Sequence, residues 1–181
     1  MRKRTLIRIA SAAFLAAATF PIAGCGPFWV DPYITVKESP LNWVEIHYYN
    51  TRTKPYIRKS VLLMGDGLVE FKKGTSDRVS NDFAKRSDDP EWENFRMRRT
   101  RVDPKHAQEI FQDLANRGVL DREKLFRGSK KEKFDRFIAV KANLSNYTYS
   151  QPDNIYEVDP DLAEYLYDII QEFDNVGNSI M

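Results

Sequence analysis

Two short sequences constrain the fold more than anything else in this chain: Val102-Asp103-Pro104 and Val158-Asp159-Pro160. An aspartate side chain accepts hydrogen bonds from amides left unpaired at a helix start. Proline fits the first turn, where no donor is needed. Each signal is followed by an apolar stripe at helical spacing. The first stripe is Ala107, Ile110, Phe111 and Leu114, closed by Arg117-Gly118; the second is Leu162, Ala163, Leu166, Ile169, Ile170 and Phe173. Aligning the two signals pairs Ala107 with Ala163, Ile110 with Leu166 and Phe111 with Tyr167. Two histories fit: duplication of a strands-then-helix unit, or two helices using one good cap. The shared cap needs fewer assumptions.

The rest of the pattern is extended. In Leu41 to Asn50, Val44, Ile46 and Tyr48 alternate with Trp43, Glu45, His47 and Tyr49. Ile57 to Met64 and Leu68 to Lys72 flank Gly65-Asp66-Gly67, and an Asp-Gly pair between apolar runs predicts a type I′ hairpin turn. Thr75 to Glu91 is mostly polar and reads as a long loop, with at most a short strand over Val79 to Phe83. Trp92 to Val102 is again extended. Asp121 to Lys133 is a charged connection. In Phe134 to Leu144, Ile138, Val140, Ala142 and Leu144 share one face, and Asn146 to Ser150 turns back beside it. Strand blocks with hairpin-length links and two helices predict an α+β fold. Its core would be a mainly antiparallel sheet of about five or six strands, with both helices on one face.

The amino terminus has a different grammar. Met1-Arg2-Lys3-Arg4, extended by Arg8, is basic; Ile9 to Phe20 is apolar apart from Ser11 and Thr19. Small residues then lead into Ile22-Ala23-Gly24-Cys25. These are the three parts of an export signal, and the apolar run is short of the roughly 20 residues a spanning helix needs. Ile22, Ala23 and Gly24 before Cys25 resemble the lipobox of bacterial lipoprotein precursors; the resemblance covers only the first 25 residues. It implies cleavage before Cys25, diacylglycerol on the Cys25 sulfur and, usually, acylation of the new terminus. Two or three acyl chains, at about 0.8 kcal/mol per buried CH₂, hold a domain on a bilayer where one chain does not. The alternative is an ordinary cleaved signal that contains a cysteine. Gly26 stands where an aspartate would favour inner-membrane retention in enterobacterial lipoproteins, which leans the expectation toward the outer membrane.

The expected organisation is therefore a signal peptide over 1–24, lipidated cysteine and tether over 25–39, one α+β domain over 40–175, and a frayed tail over 176–181. Pro27, Pro32 and Pro40 punctuate the tether; Phe28, Trp29 and Tyr33 are aromatic residues that suit a headgroup layer, with Trp29 packed back on the domain as the equal alternative. At about 3.1 Å per residue such a linker reaches roughly 40 Å. Cys25 is the only cysteine, so no intramolecular disulfide is possible.

Removing the signal also changes the charge. Four of the 28 basic residues lie in 1–24 and none of the 26 acidic ones does, so the remainder carries 24 against 26. The basic balance belongs to the leader and argues for no nucleic acid. Charge is uneven: residues 85–136 carry 15 basic and 11 acidic side chains, residues 137–181 one and eight.

Catalytic and cofactor signatures do not stand out. His47 in a strand and His106 in a first helical turn lack metal-ligand spacing, and a positive helix start disfavours protonated His106. No nucleophile elbow, zinc-protease or phosphate-loop motif occurs. No cofactor, metal ligand or catalytic residue is therefore assigned. Asp153, Glu157, Asp159 and Asp161 raise a calcium site, without the spacing of an EF-hand and with Asp159 already a cap. Asp88-Asp89 is a second carboxylate pair. Asn143-Leu144-Ser145 and Asn146-Tyr147-Thr148 match glycosylation acceptors that have no default meaning in a bacterial lipoprotein.

One basic feature remains: Arg96-Met97-Arg98-Arg99-Thr100-Arg101. With Phe95 and Met97 inward, strict alternation would bury Arg99 and Arg101, so a β-bulge at Arg98-Arg99 is predicted, returning Thr100 and Val102 to the buried face. Arg96, Arg98, Arg99 and Arg101 are then candidate binding residues for phosphate or carboxylate. The competing reading has them pair with nearby acids and guard an edge. The expected protein is a non-catalytic, lipid-anchored envelope protein, held to a membrane through its lipid, that binds an envelope protein or anionic polymer. An envelope hydrolase with carboxylate chemistry and a structural subunit of an envelope complex are the alternatives.

Overall fold

A computed structural model describes residues 34–79, 92–120, 134–151 and 153–176. The expected signal, Ile22 to Cys25, the segment Asp121 to Lys133, Asp88-Asp89 and most of Val79 to Phe83 lie outside the described residues. The strands are β1 (Trp43–Asn50), β2 (Tyr56–Met64), β3 (Leu68–Ser76), β4 (Glu93–Arg101), β5 (Arg136–Leu144) and β6 (Tyr147–Gln151). The helices are α1 (Pro104–Asn116), between β4 and β5, and α2 (Pro160–Asn175), after a short 3₁₀ turn at Ile155–Glu157. The six strands form one antiparallel sheet in the order β4-β3-β2-β1-β5-β6, the α+β arrangement expected.

Alternation assigns the faces. Ile46 lies between Val61 and Val140, and Val44 between Leu63 and Ala142; all are fully buried on the helix-bearing side. The predicted stripes of α1 and α2 cover them, with Phe111, Leu114, Leu166, Ile170 and Phe173 at 0% exposure. Burying side chains of that size stabilises by about 1.5–3 kcal/mol each. The helices run antiparallel. His106, at the start of α1, meets Glu172 near the end of α2 at 2.7 Å, and the Tyr165 hydroxyl donates to Asp113 at 3.2 Å.

Both helix starts are capped by the expected aspartates, in different ways. Asp103 accepts from the Lys105 amide, and Asp159 from the Leu162 amide. Among the described residues four strands precede α1 and two lie between α1 and α2. The helices share a start signal but not a strand count.

Two local expectations need correction. The β2–β3 link is not a type I′ turn, which requires positive φ at both central residues. Here the Gly67 amide bonds back to the Met64 carbonyl and only Gly67 is left-handed, at φ 81°. The reason is Gly65, whose amide is held by the Asn42 carbonyl; a Cβ there would lie 1.9 Å from the Ser39 oxygen. The two-residue turn belongs instead to β5–β6, where Ser145 (φ 52°) and Asn146 (φ 69°) are both left-handed. Finally, Ile34 to Ser39, read as part of the tether, lies on α1. Val36 is 3% exposed, and Gln108 and Gln112 hydrogen-bond to the backbone at Ile34 and Val36. An apolar side chain and two glutamine forks outweigh the tethering bias of Pro32 and Pro40.

Candidate functional site

β4 is an edge strand, and its register decides what the arginines do. Pairing runs without interruption from Leu68↔Arg101 through Phe71↔Arg98 to Lys73↔Arg96. The bulge expected at Arg98-Arg99 is not there. The irregularity falls earlier, between Lys73 and Thr75, near Asn94 with its φ of 47°. Because Val69 and Phe71 face the helices, so do their neighbours Thr100 and Arg98, and with them Arg96. Met97, Arg99 and Arg101 take the opposite face. Phe95 and Met97 are accordingly about 40% exposed rather than inward.

The assumption that failed was that the helix side of β4 had to be apolar. Opposite this strand lies the carboxyl-terminal end of α2, where unpaired carbonyls carry partial negative charge. Arg98 donates to the Phe173 carbonyl and stacks 5.5 Å over the Phe71 ring. Beside it, Asp174 accepts from Lys59 at 2.8 Å and from Lys73 at 3.1 Å. Burial pushes the Asp174 carboxyl up, but hydrogen bonds from the two lysines outweigh it and hold the group below its usual range. A cavity of about 650 Å³ opens here, with Lys73, Arg96, Arg98 and Asp174 among its charged lining and Ile57 and Phe71 among its apolar lining. Among the described residues no carboxylate pairs with Arg96.

Arg99 and Arg101 behave as the competing reading required. Arg99 meets Glu70 at 2.9 Å and Arg101 meets Asp66 at 3.3 Å, both on the helix-free face. Lys72 shares Glu70 at 3.2 Å. Burial pushes Glu70 up, while hydrogen bonds from Arg99 and Lys72 bring it below its usual value. The four candidate arginines thus divide: Arg96 and Arg98 converge on the cavity, and Arg99 and Arg101 are neutralised elsewhere.

A second polar group sits on the helix-free face. His47 Nε2 is 2.9 Å from Glu45, and its Nδ1 is 3.4 Å from the Arg58 guanidinium. Arg58 is fully buried, 4.0 Å over the Trp92 ring and 5.2 Å from Tyr49. Burial lowers the His47 pKa, so the ring is neutral, with Nε2–H donating to Glu45 and Nδ1 turned to Arg58. Ser60 lies across from His47. Serine, histidine and glutamate invite an acid–base reading, yet His47 and Ser60 are 3% and 6% exposed and both His47 nitrogens are occupied. This is a packed polar layer.

His106 corrects another expectation. The hydrogen bond with Glu172 outweighs burial and raises its pKa, so the facing helix, absent from any local reading, overrules the positive helix start. Asp159 is a cap, as its sequence position implied, and among the described residues no three His, Cys, Asp or Glu side chains gather as a metal set.

A second cavity, of about 470 Å³, lies at the same end of the sheet on the helix-free side. Arg52, Lys54, Tyr56, Phe134 and Phe137 are among its lining residues. Sequence reasoning missed this site. Its parts come from residues 51–56 and 134–137, joined by the Thr51 amide bonding to the Asp135 carbonyl at 2.9 Å. Lys73 was missed for a simpler reason, since it reads as the polar end of a strand. Counting alternately from Val69 and Phe71 would have placed it with the core.

No family model and no curated sequence matches this chain. Among the described residues no helix is long and apolar enough to cross a membrane.

Proposed function

We propose that this chain is a lipid-anchored bacterial envelope protein that acts by binding an anionic envelope component in the cavity between β3, β4 and the end of α2. The observation that carries the binding half is the convergence of Lys73, Arg96 and Arg98 on one cavity whose lining holds a single carboxylate, Asp174. Including Lys59, four cations stand against one acid; the roughly half charge of the helix end leaves a clear positive excess. The volume suits a small molecule or one segment of a larger ligand. Guanidinium groups match phosphate and carboxylate as paired donors, which lysine does not reproduce.

The anchoring half rests on Ile22-Ala23-Gly24-Cys25 and its resemblance to a lipobox. Gly26 favours the outer membrane. Ile34, the first described residue, accepts a hydrogen bond from Gln112 near the end of α1, whereas the residues lining the cavity come from β2, β3, β4 and the end of α2.

Two measurements test the proposal. In a bacterial host the protein should incorporate labelled palmitate, and Cys25→Ala should abolish the label; equal labelling of both forms would end the lipoprotein reading. Calorimetric titration of the purified protein with inorganic phosphate and with galacturonate should show weak binding. Arg96→Lys with Arg98→Lys should reduce it about tenfold while Arg99→Lys with Arg101→Lys does not. Equal affinity in both double variants would remove the cavity from the account.

A further inference from the structure

The two cavities repeat one chemistry. Each sets positive side chains beside aromatic or aliphatic walls: Lys73, Arg96 and Arg98 with Ile57 and Phe71 in the first, Arg52 and Lys54 with Tyr56, Phe134 and Phe137 in the second. They meet at the start of β2, where Tyr56 lines one cavity and Ile57, the next residue, lines the other. Consecutive strand residues point to opposite faces. The basic surface therefore passes from the helix side to the helix-free side around a single strand end.

Charge follows the same path. Of the charged residues named in the two linings, five are cations and one, Asp174, is an acid. Their further partners cancel, because Lys59 pairs with Asp174 and Asp135 pairs with Arg52 at 3.2 Å. Among the described residues that line the two cavities or pair with that lining, a net excess of positive charge is left, while Arg99 and Arg101 are already paired elsewhere.

Two like subsites joined at a rim fit a ligand that itself repeats. We infer that the ligand is an anionic glycan, a chain of sugar units bearing carboxylate or phosphate, laid over the start of β2 with one unit in each cavity. Each unit offers an apolar C–H face to the Ile57 side chain or to a ring such as Tyr56 or Phe137, and an anionic group to the neighbouring cations. The inference rests on the proposed binding role and gives it a ligand class. Joining two weak sites makes the second contact intramolecular, so affinity rises with chain length although no single contact strengthens.

The test is a calorimetric series on the full chain in detergent micelles, using galacturonate and its oligomers up to the octamer. Wild type should bind the octamer at least tenfold more tightly than the monomer, with added salt weakening the gain because the exposed cations are screened. Arg52→Ala with Lys54→Ala should abolish the length dependence. Arg52 and Lys54 are exposed, so these changes leave the core intact, and an unchanged thermal melt would verify it. Monomer binding without any gain for the octamer would overturn the spanning ligand and leave the proposed function standing. A gain that survives in the double variant would overturn the second subsite. Tighter binding of an octaglutamate than of the octagalacturonate would overturn the glycan in favour of an acidic peptide. Failure of every probe, monomers included, would strike the proposed function itself.

Discussion

Replacing Asp174 with asparagine tests the site and the fold together. The carboxylate holds two lysines in different surroundings. The Lys59 side chain is 11% exposed, Asp174 itself 14%, and Lys73 52%. The Lys73 contact is the kind of exposed pair worth about 0–1 kcal/mol. The Lys59 contact is nearly dry, and stranding one charge of a buried pair costs about 3–5 kcal/mol. Asparagine keeps an oxygen that still accepts from Lys59, so the expected loss is about 3 kcal/mol, almost all from the Lys59 side. Urea denaturation followed by tryptophan fluorescence should show a lower midpoint at unchanged slope. Lys73→Met should cost less than about 1 kcal/mol. Lys59→Met with Asp174→Leu should recover most of the loss, because a well-packed apolar pair can replace a buried ion pair. The pH dependence gives an independent check. A carboxyl held below 3.8 contributes stability above that value and loses it as pH falls through its lower folded pKa. Asp174→Asn should remove that acid limb. A loss below about 1 kcal/mol would mean that Lys59 keeps its water, and the reasoning about a dry pair at the end of α2 would be wrong.

Two further outcomes concern the helices. Asp103→Ala and Asp159→Ala should each cost about 1 kcal/mol in the same denaturation assay, the usual worth of an N-cap, and no loss from either would mean the cap bonds contribute nothing. His106 has a raised pKa through Glu172, so its contribution is full below 6.5 and fades as pH rises through the higher folded value. Thermal melts should record that decline above pH 6.5, and Glu172→Gln should flatten it.

The parts of this protein written locally were legible in the chain. The caps Asp103 and Asp159, the stripes from Ala107 to Leu114 and from Leu162 to Phe173, and the alternation of Val44, Ile46 and Tyr48 each depend on residues a few positions apart. The proposed lipid anchor rests on an equally local signal, Ile22-Ala23-Gly24-Cys25. The fate of the arginines was different. Whether Arg98 faces the core depends on what stands across from β4, and that is the end of a helix some 75 residues later in the chain. A polar helix terminus accepts a guanidinium where an apolar stripe would have excluded it. His106 likewise takes its charge preference from Glu172, and Gly65 its turn from Ser39. The two cavities come to neighbouring residues, Ile57 and Tyr56, and the second forms only because residues 134–137 are brought beside the start of β2. Hydrophobic periodicity and capping are short-range and can be read from one segment. Electrostatic partners are chosen after the segments meet, so only the tertiary structure decided which charges cancel and which do not.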